Sequence, residues 1–522
     1  MKRRLLLSFF TIWLCFKSNN MNAEAFAYPQ AKIKILEIDS LYIKGFGDKL
    51  LYSFYKSHGN KTAWLENKST RDFLLSALNS CAADGLNPKE FALEKLNSYE
   101  MRMDSLSDND LVDYDIELTL RLQKYVSQLS NGRLNPKHLY RDWDLKENKT
   151  DINKIVSDFE KGDSLAEKAE RLKPQHLIYK CLKAALKLLN TYPTDTISCI
   201  QTKDLISKGM SNPAIPIIKQ KLIYWKDLNQ ETNMDSLYNE ETYLAVKKFQ
   251  QRHGLFADGV IGYRTVEALN FSKNRRREQI IANLERWKWF PRNPGNHYFI
   301  INIPEYNLKI IKNKDTIETK RVVVGLLTRK TAVLSSTFNT IILNPTWTIP
   351  PTILEHDIVP SAIKKSTYFS SKNITIYDSK NNVVAPANWN SEKYKNYRYV
   401  QSPGDDNSLG NVKFNFPNHY SVYLHDTNHK EYFVKTFRSL SSGCVRVENP
   451  LPLAQYMLND KKWTMEKICE VIATKKTTGL PLKEKINVHQ LYWTAWMDQD
   501  GTLQFLTDIY NLDDELYEKL GN

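Results

Sequence analysis

From residue 28 to about 205, apolar side chains recur at helical intervals. Residues 71–78 carry Phe73, Leu74, Leu75 and Leu78, and residues 114–129 carry Ile116, Leu118, Leu120, Leu122, Tyr125 and Leu129. These spacings suit amphipathic helices better than strand alternation. Asp84-Gly85-Leu86-Asn87-Pro88 and Asn131-Gly132-Arg133-Leu134-Asn135-Pro136 are turn signals between them. A helical scaffold over 28–205 is expected, with nothing catalytic in it. Residues 206–272 read as a small helical module. Thr242, Ala245, Val246 and Phe249 fall at i, i+3, i+4 and i+7, and Asp258-Gly259-Val260-Ile261-Gly262 turns tightly before a helix at 263–269. A linker helix fills 273–296, with Arg275-Arg276-Arg277 as its solvated start. At His297 the period changes to two, and strands are expected at 298–303, 308–311, 321–324, 338–343 and 420–424. Helices return at 451–458 and 465–473, so 297–475 reads as a mostly-β domain. Its polar Lys-, Ser- and Asn-rich insertion at 351–411 is long enough to be a lid or subdomain. Strands at 486–495 and 502–505 make 476–522 a C-terminal segment that packs on the scaffold and catalytic region. The fold class expected is multidomain α+β.

The chain has 522 residues, 42% hydrophobic and 25% charged, a globular composition with a core of ample size. With 73 Lys and Arg against 59 Asp and Glu, the formal charge of +14 favours nucleic acid, an anionic membrane surface or a carboxylate-rich polymer. The N-terminus narrows that choice. Lys2, Arg3 and Arg4 precede an apolar run at 5–16, and Ala25-Phe26-Ala27 offers a small-x-small cleavage site. This is the pattern of a signal peptide over 1–27, with a retained anchor as the alternative. Export to the periplasm or cell envelope, without a membrane span after cleavage, turns the charge reading toward an acidic extracytoplasmic polymer and away from nucleic acid. Beyond Cys15 the cysteines are Cys81, Cys181, Cys199, Cys444 and Cys469, an odd number, so at least one is free or pairs between chains. No CxxC occurs, which excludes a zinc ribbon or thioredoxin-like motif.

Cys444 lies in Ser441-Ser442-Gly443-Cys444-Val445-Arg446, and His425 ends the apolar segment Ser421-Val422-Tyr423-Leu424. A thiol attacks as thiolate, so a nearby imidazole can take its proton. Arg438 and Arg446 would add positive potential, and Gly443 permits a turn whose N–H groups face a developing oxyanion. Cys181 and Cys469, in apolar helices, read instead as small buried hydrophobes. A papain-type arrangement fits poorly, because it needs a histidine well over a hundred residues after the cysteine and only His489 follows Cys444. His425 and His429 have the i, i+4 spacing of zinc peptidases. They lack a helix and the intervening glutamate, so no metal is expected.

Two resemblances follow from these motifs. Phe249-Gln250, His253-Gly254-Leu255, Asp258 to Gly262 and Thr265 to Asn270 resemble the peptidoglycan-binding three-helix module. That module also occurs as a plain spacer. Leu424-His425-Asp426-Thr427 with Ser441 to Arg446 resembles the YkuD catalytic domain of L,D-transpeptidases, closest to the large YcbB-type branch. Asn283 to Trp287, Asn302-Ile303-Pro304, Arg321 to Gly325, Asn344-Pro345-Thr346-Trp347 and Leu409-Gly410-Asn411-Val412-Lys413-Phe414 extend the match. Two departures are Ser442, where many relatives have His, and Leu326 to Ala332, which replaces a Gly-x5-Thr-Pro segment and alters local substrate contacts. The resemblance implies Cys444 as nucleophile, His425 as base, and an orienting carbonyl from Asp426 or Gly443. It implies an oxyanion hole at Gly443 and Cys444 aided by Tyr423, and substrate contacts from Arg446, Ser441, Ser442 and Trp347. Arg446 alternatively holds a structural ion pair, and 351–411 becomes a cap over the site. The implied reaction joins peptidoglycan stem peptides 3→3 through a Cys thioester, with neither metal nor cofactor. A carboxypeptidase on the same stems and a silent wall-binding protein are the alternatives.

Overall fold

The computed structural model describes residues 35–498 and 500–521; the expected signal peptide lies outside them. The N-terminal helices, among them Lys49–Ser57, Lys68–Asn79 and Asp108–Asn131, enclose their own core of Phe54, Trp64, Leu118, Leu122 and Phe159. The longest of these starts where Ser107 and Asp110 cap one another's backbone N–H groups. The module at 206–272 comprises Ile215–Tyr224, Glu240–Arg252 and Tyr263–Asn270. Gln250 is buried beneath its turn, accepting from Gly259 N (2.8 Å) and donating to Val260 O (2.9 Å).

The helix expected as a linker, Lys273–Trp289, is the buried spine of the molecule. It packs against Asp108–Asn131, Leu177–Asn190 and Asp513–Leu520 and the strand Ala495–Met497, so every residue from 279 to 289 is buried. Burial on all sides forces its polar groups to find partners. Arg286 pairs with Asp513, Lys288 with Glu285 (3.3 Å), and Asn283 exchanges two bonds with Thr494 (2.8 and 2.9 Å). The solvated start expected for the arginines fails at Arg276, which is 3% exposed and lies between the rings of Phe271 and Phe505.

Among the described residues, twelve strands join in one sheet. The order is Trp143–Asp144, Val333–Thr337, Asn487–Leu491, His297–Asn302, Asn307–Lys312, Asp315–Gly325, Val445–Val447, Leu424–His425, Val412–Asn415, Thr340–Leu343 and Thr478–Pro481, with Ser439–Ser441 beside Asp315–Gly325. Three differences from the sequence reading matter. The helical scaffold lends the strand Trp143–Asp144, parallel to Val333–Thr337. The strand expected at 420–424 is only Leu424–His425, because Ser421 has φ +54°, outside the extended region. The strand expected at 486–495 is broken: Asn487–Leu491 enters the interior of the sheet, while Ala495–Met497 forms a hairpin with Leu503–Phe505, followed by an unanticipated helix, Asp513–Leu520. The insertion has its own core of Ile358, Phe369, Ile376 and Tyr399 and its own four-stranded sheet, to which Trp347–Thr348 belongs.

Candidate active site

The site is built on one face of three adjacent strands. Register places Lys413 across from His425, and His425 beside Arg446. Side chains alternate along a strand, so Tyr423 and Cys444, two residues earlier, form a second row on that face. The opposite face carries Val412, Phe414, Leu424, Val445 and Val447, all fully buried. Alternation of core and site residues thus delivers a thiol, an imidazole, a phenol and two cations to one surface.

Gly443 makes the turn before Cys444 at φ +112°, where an L side chain would be strained, and an added Cβ would stand 3.3 Å from Lys330 O. Its carbonyl accepts from Thr331 Oγ1 (2.9 Å), and Thr331 Oγ1 in turn accepts from Gly325 N (2.8 Å). Tyr510 completes the support, its hydroxyl donating to Gly325 O (2.8 Å) and accepting from Thr331 N (3.0 Å). The segment Leu326 to Ala332, expected to depart from the family pattern, is therefore the cradle of the Gly443–Cys444 turn. Its Arg329 pairs with Asp357 of the insertion. Thr331 and Tyr510 carried no signal in the sequence, since one lies in a loop and the other in a distant segment.

Several expectations are corrected. Ser441, read as a substrate contact, is 2% exposed and staples the turn: its hydroxyl donates to Cys444 O (2.6 Å) and accepts from Gly443 N (3.2 Å). The Gly443 carbonyl accepts from Thr331 Oγ1, and the backbone carbonyl facing the His425 ring is that of Asp426. Arg438 does not face the thiol, because its guanidinium donates to the carbonyls of Val322, Lys435 and Tyr306. Arg446 has no carboxylate at ion-pair distance among the described residues. It lies 5.5 Å from the Tyr432 ring centroid and 3.4 Å from Thr427 Oγ1, and its Nε is buried without a partner. Cys469, expected inside, is exposed, and Cys181 is half-buried; all five described cysteines are free.

Of the remaining predicted residues, Tyr423 reaches the thiol. The Tyr423 ring meets His425 edge-on at 5.6 Å, and its hydroxyl contacts Cys444 and the Trp347 indole. Trp347 joins the core of the insertion, and Tyr423 packs against that core. Ser442 is half-buried. The Asp426 carboxylate points away from the imidazole, accepting from Asn411 N (2.9 Å) and Lys430. His429 pairs with Glu431 (2.9 Å), outside any helix. Among the described residues, no group of three or more His, Cys, Asp and Glu could hold a metal ion.

Burial holds His425 down to about 3, with Arg446, Lys413 and Lys430 adding to the effect, so the imidazole is neutral at neutral pH. Its Nδ1 is buried without a hydrogen bond of good geometry. Burial also pushes the Cys444 thiol up, opposed by hydrogen bonding to Tyr423 and by the charges of Lys413 and Arg446. A neutral imidazole on the same face as a thiol can accept a proton and return it, which is what acyl transfer through a thioester requires.

Residues 296–472 match the family described as "L,D-transpeptidase catalytic domain", residues 211–269 the "Putative peptidoglycan binding domain", and residues 49–186 the "Scaffold domain". A curated Haemophilus influenzae protein named "Putative L,D-transpeptidase" is 36% identical over 242 residues, 46% of this chain and 49% of that protein. The chain thus spans about half the length of this curated relative. Among solved structures, an L,D-transpeptidase (residues 123–326) from Xylanimonas cellulosilytica is 15% identical, with coverage of 56% of this chain and 98% of its own and a TM-score of 0.17. Another, from Stackebrandtia nassauensis, is 14% identical, with 56% and 96% covered and a TM-score of 0.22. No helix among the described residues is long and apolar enough to cross a membrane.

Proposed function

We propose that the chain is an L,D-transpeptidase of the YkuD type, the family whose catalytic-domain model matches residues 296–472, and that it cross-links peptidoglycan stem peptides with Cys444 as nucleophile and His425 as general base. The observation that carries the reading is a thiol and a buried neutral imidazole on one strand face, next to an arginine with no carboxylate at ion-pair distance among the described residues. The imidazole takes the thiol proton as the sulfur attacks the carbonyl of the third residue of a tetrapeptide stem. The C–N bond to the terminal D-Ala breaks, and the proton passes to its leaving amine. An amine of a second stem then attacks the thioester, gives its proton back through His425 to the sulfur, and leaves a 3→3 link with the thiol restored. Backbone N–H groups at the Gly443–Cys444 turn, with the Tyr423 hydroxyl, stabilise the oxyanion. Arg446 holds a stem carboxylate, and Ser442 and Trp347 line the approach. The module at 211–269 holds the wall polymer, and the enzyme works in the periplasm or cell envelope after its signal peptide is removed.

Mass spectrometry after incubation with a disaccharide-tetrapeptide, and separately with a carbapenem, tests the proposal. A covalent adduct on the Cys444 peptide and a dimeric muropeptide are expected, both lost in Cys444→Ala. An adduct with only tripeptide released means that water is the acceptor and the enzyme is a carboxypeptidase. No adduct from either reagent with an intact reduced thiol overturns the nucleophile and leaves a wall-binding protein.

A further inference from the structure

One cation on the site face has no part in the acyl-transfer scheme. Lys413 stands across from His425 in register, and its ammonium lies 3.8 Å from the centroid of the Tyr423 ring. That ring meets the imidazole edge-on, and its hydroxyl contacts the thiol. Among the described residues no carboxylate reaches Lys413, and the one charge that favours its ammonium is Cys444. Half-buried without an acid, this lysine carries a desolvation cost that holds its ammonium below the usual range and that the cation–π contact offsets only in part.

We infer that the Lys413 ammonium is the counter-charge of the Cys444 thiolate, so that the reactive free enzyme holds thiolate and lysinium with His425 neutral, in place of a thiolate–imidazolium pair. Lys413 is on this account a positioning residue, acting through space and through the Tyr423 ring. The inference rests on Cys444 being the nucleophile. Its support is the asymmetry of charge around the two groups. His425 faces Lys413 on one neighbouring strand, Arg446 on the other and Lys430 on the following segment, all of which oppose an imidazolium. The nearest carboxylate, Asp426, turns to Lys430 and Asn411, and Glu431 is taken by His429. The thiol, beside Tyr423, Lys413 and Arg446, gains from both of the last two as an anion. Arg446 also interacts with Tyr432, and once it binds a substrate carboxylate its field on the sulfur is largely neutralised, which leaves Lys413. In proton terms this replaces the first transfer of the scheme above: the thiol proton has already gone to solvent in the free enzyme, the leaving amine takes its proton from solvent, and His425, still unprotonated, accepts the proton of the incoming acceptor amine and releases it to solvent as the thiolate is restored.

The test is the rate of iodoacetamide alkylation of Cys444 against pH in the full chain. It is read on the Cys444 peptide because exposed Cys199 and Cys469 also react. An opposite charge at close range shifts a pKa by about 1 to 3 units. Lys413→Met, with Lys413→Gln as a second neutral variant, should therefore move the midpoint up by about one unit or more. The rate at pH 7 should fall about tenfold, with the high-pH plateau retained. Lys413→Arg should keep the parent profile, and His425→Ala should move the midpoint little while abolishing muropeptide turnover. Parent-like profiles in both folded neutral variants overturn the inference. So does a His425→Ala shift as large as that of Lys413→Met, which would make imidazolium the counter-charge. No muropeptide enters the alkylation assay, so failure of the transpeptidase reading shows separately, as absent turnover with the lysine effect intact.

Discussion

Thr331→Val separates the geometry of the nucleophile turn from its electrostatics. The substitution keeps shape and removes one buried hydroxyl that accepts from Gly325 N (2.8 Å) and donates to Gly443 O (2.9 Å). A buried donor or acceptor left unsatisfied costs about 1–3 kcal/mol, so the two together cost about 2–6 kcal/mol. The burden falls on a turn already held at φ +112°, and opening the turn is the easiest way to hydrate the orphaned groups. If about 2 kcal/mol of it appears as misplacement of the oxyanion donors, acylation slows about 30-fold. Two assays divide the effect. Acylation by a disaccharide-tetrapeptide, followed by intact mass, should slow by that factor. Alkylation of Cys444 by iodoacetamide, which develops no oxyanion, should change less than about threefold. A folded variant that acylates at the parent rate refutes the assignment of Thr331 as the support of the turn, and equal losses in both assays would mean that the thiol itself was disturbed.

Other outcomes follow from burial at the site. His425, held at about 3 when folded against an ordinary value near 6.5, carries fewer protons folded than unfolded between those limits. Its stabilising contribution is therefore whole above about pH 6.5 and is lost as pH falls toward 3, by at most about 5 kcal/mol. Asp115 and Asp513, both raised to about 6 by burial, act in the opposite sense, and their contribution is lost as pH rises from about 4 to 6. Calorimetry of His425→Asn against the parent cancels those carboxylates, and the variant should gain relative Tm as pH falls from 7 to 4; a pH-independent difference would refute the buried neutral imidazole. Gly410→Ala places a Cβ 2.5 Å from Asp426 Cγ at φ +59°, so a lower Tm and at least about tenfold slower acylation are expected as the residue after His425 is displaced. Parent-like acylation would show that the Asp426 contact is dispensable.

The motifs around His425 and Cys444 singled out the thiol and imidazole because a small polar turn after an apolar strand is unusual surroundings for a cysteine. What lay beyond reach was the company they keep. Lys413 was visible as a letter in a strand, but its place across from His425 depends on register between strands separated in the chain. Thr331 and Tyr510 support Gly443 from a loop and from beyond the last strand, where no local pattern marks them. Ser441 looked like a substrate contact because polar residues near a nucleophile usually face the cleft, whereas here the turn consumes its hydroxyl. Arg276 looked solvated because a triple arginine carries no hint of the two aromatic rings that cover its middle member. Cys469 was expected inside on the apolar character of its helix, yet it falls on the outward side. Helices in the scaffold and the binding-like module were legible from periodicity alone. The strand at 420–424 was overread because alternation does not reveal a left-handed residue such as Ser421.

The slot taken by Asn487–Leu491 has a consequence for synthesis. This strand lies between Val333–Thr337 and His297–Asn302, with Asn487 opposite Tyr298 in parallel register. Until residues 487–491 leave the ribosome and reach the sheet, two strand edges formed long before remain open, and the cradle under Gly443 still lacks Tyr510. A nascent or clipped chain thus holds the nucleophile sequence without the means to position it. The same gap presents unpaired edges that invite association with other chains. Completion of the sheet and of the turn at Gly443 is thereby tied to synthesis of residues 487–510, well after Cys444 itself has been made, so an ordered turn before that point is disfavoured by topology alone.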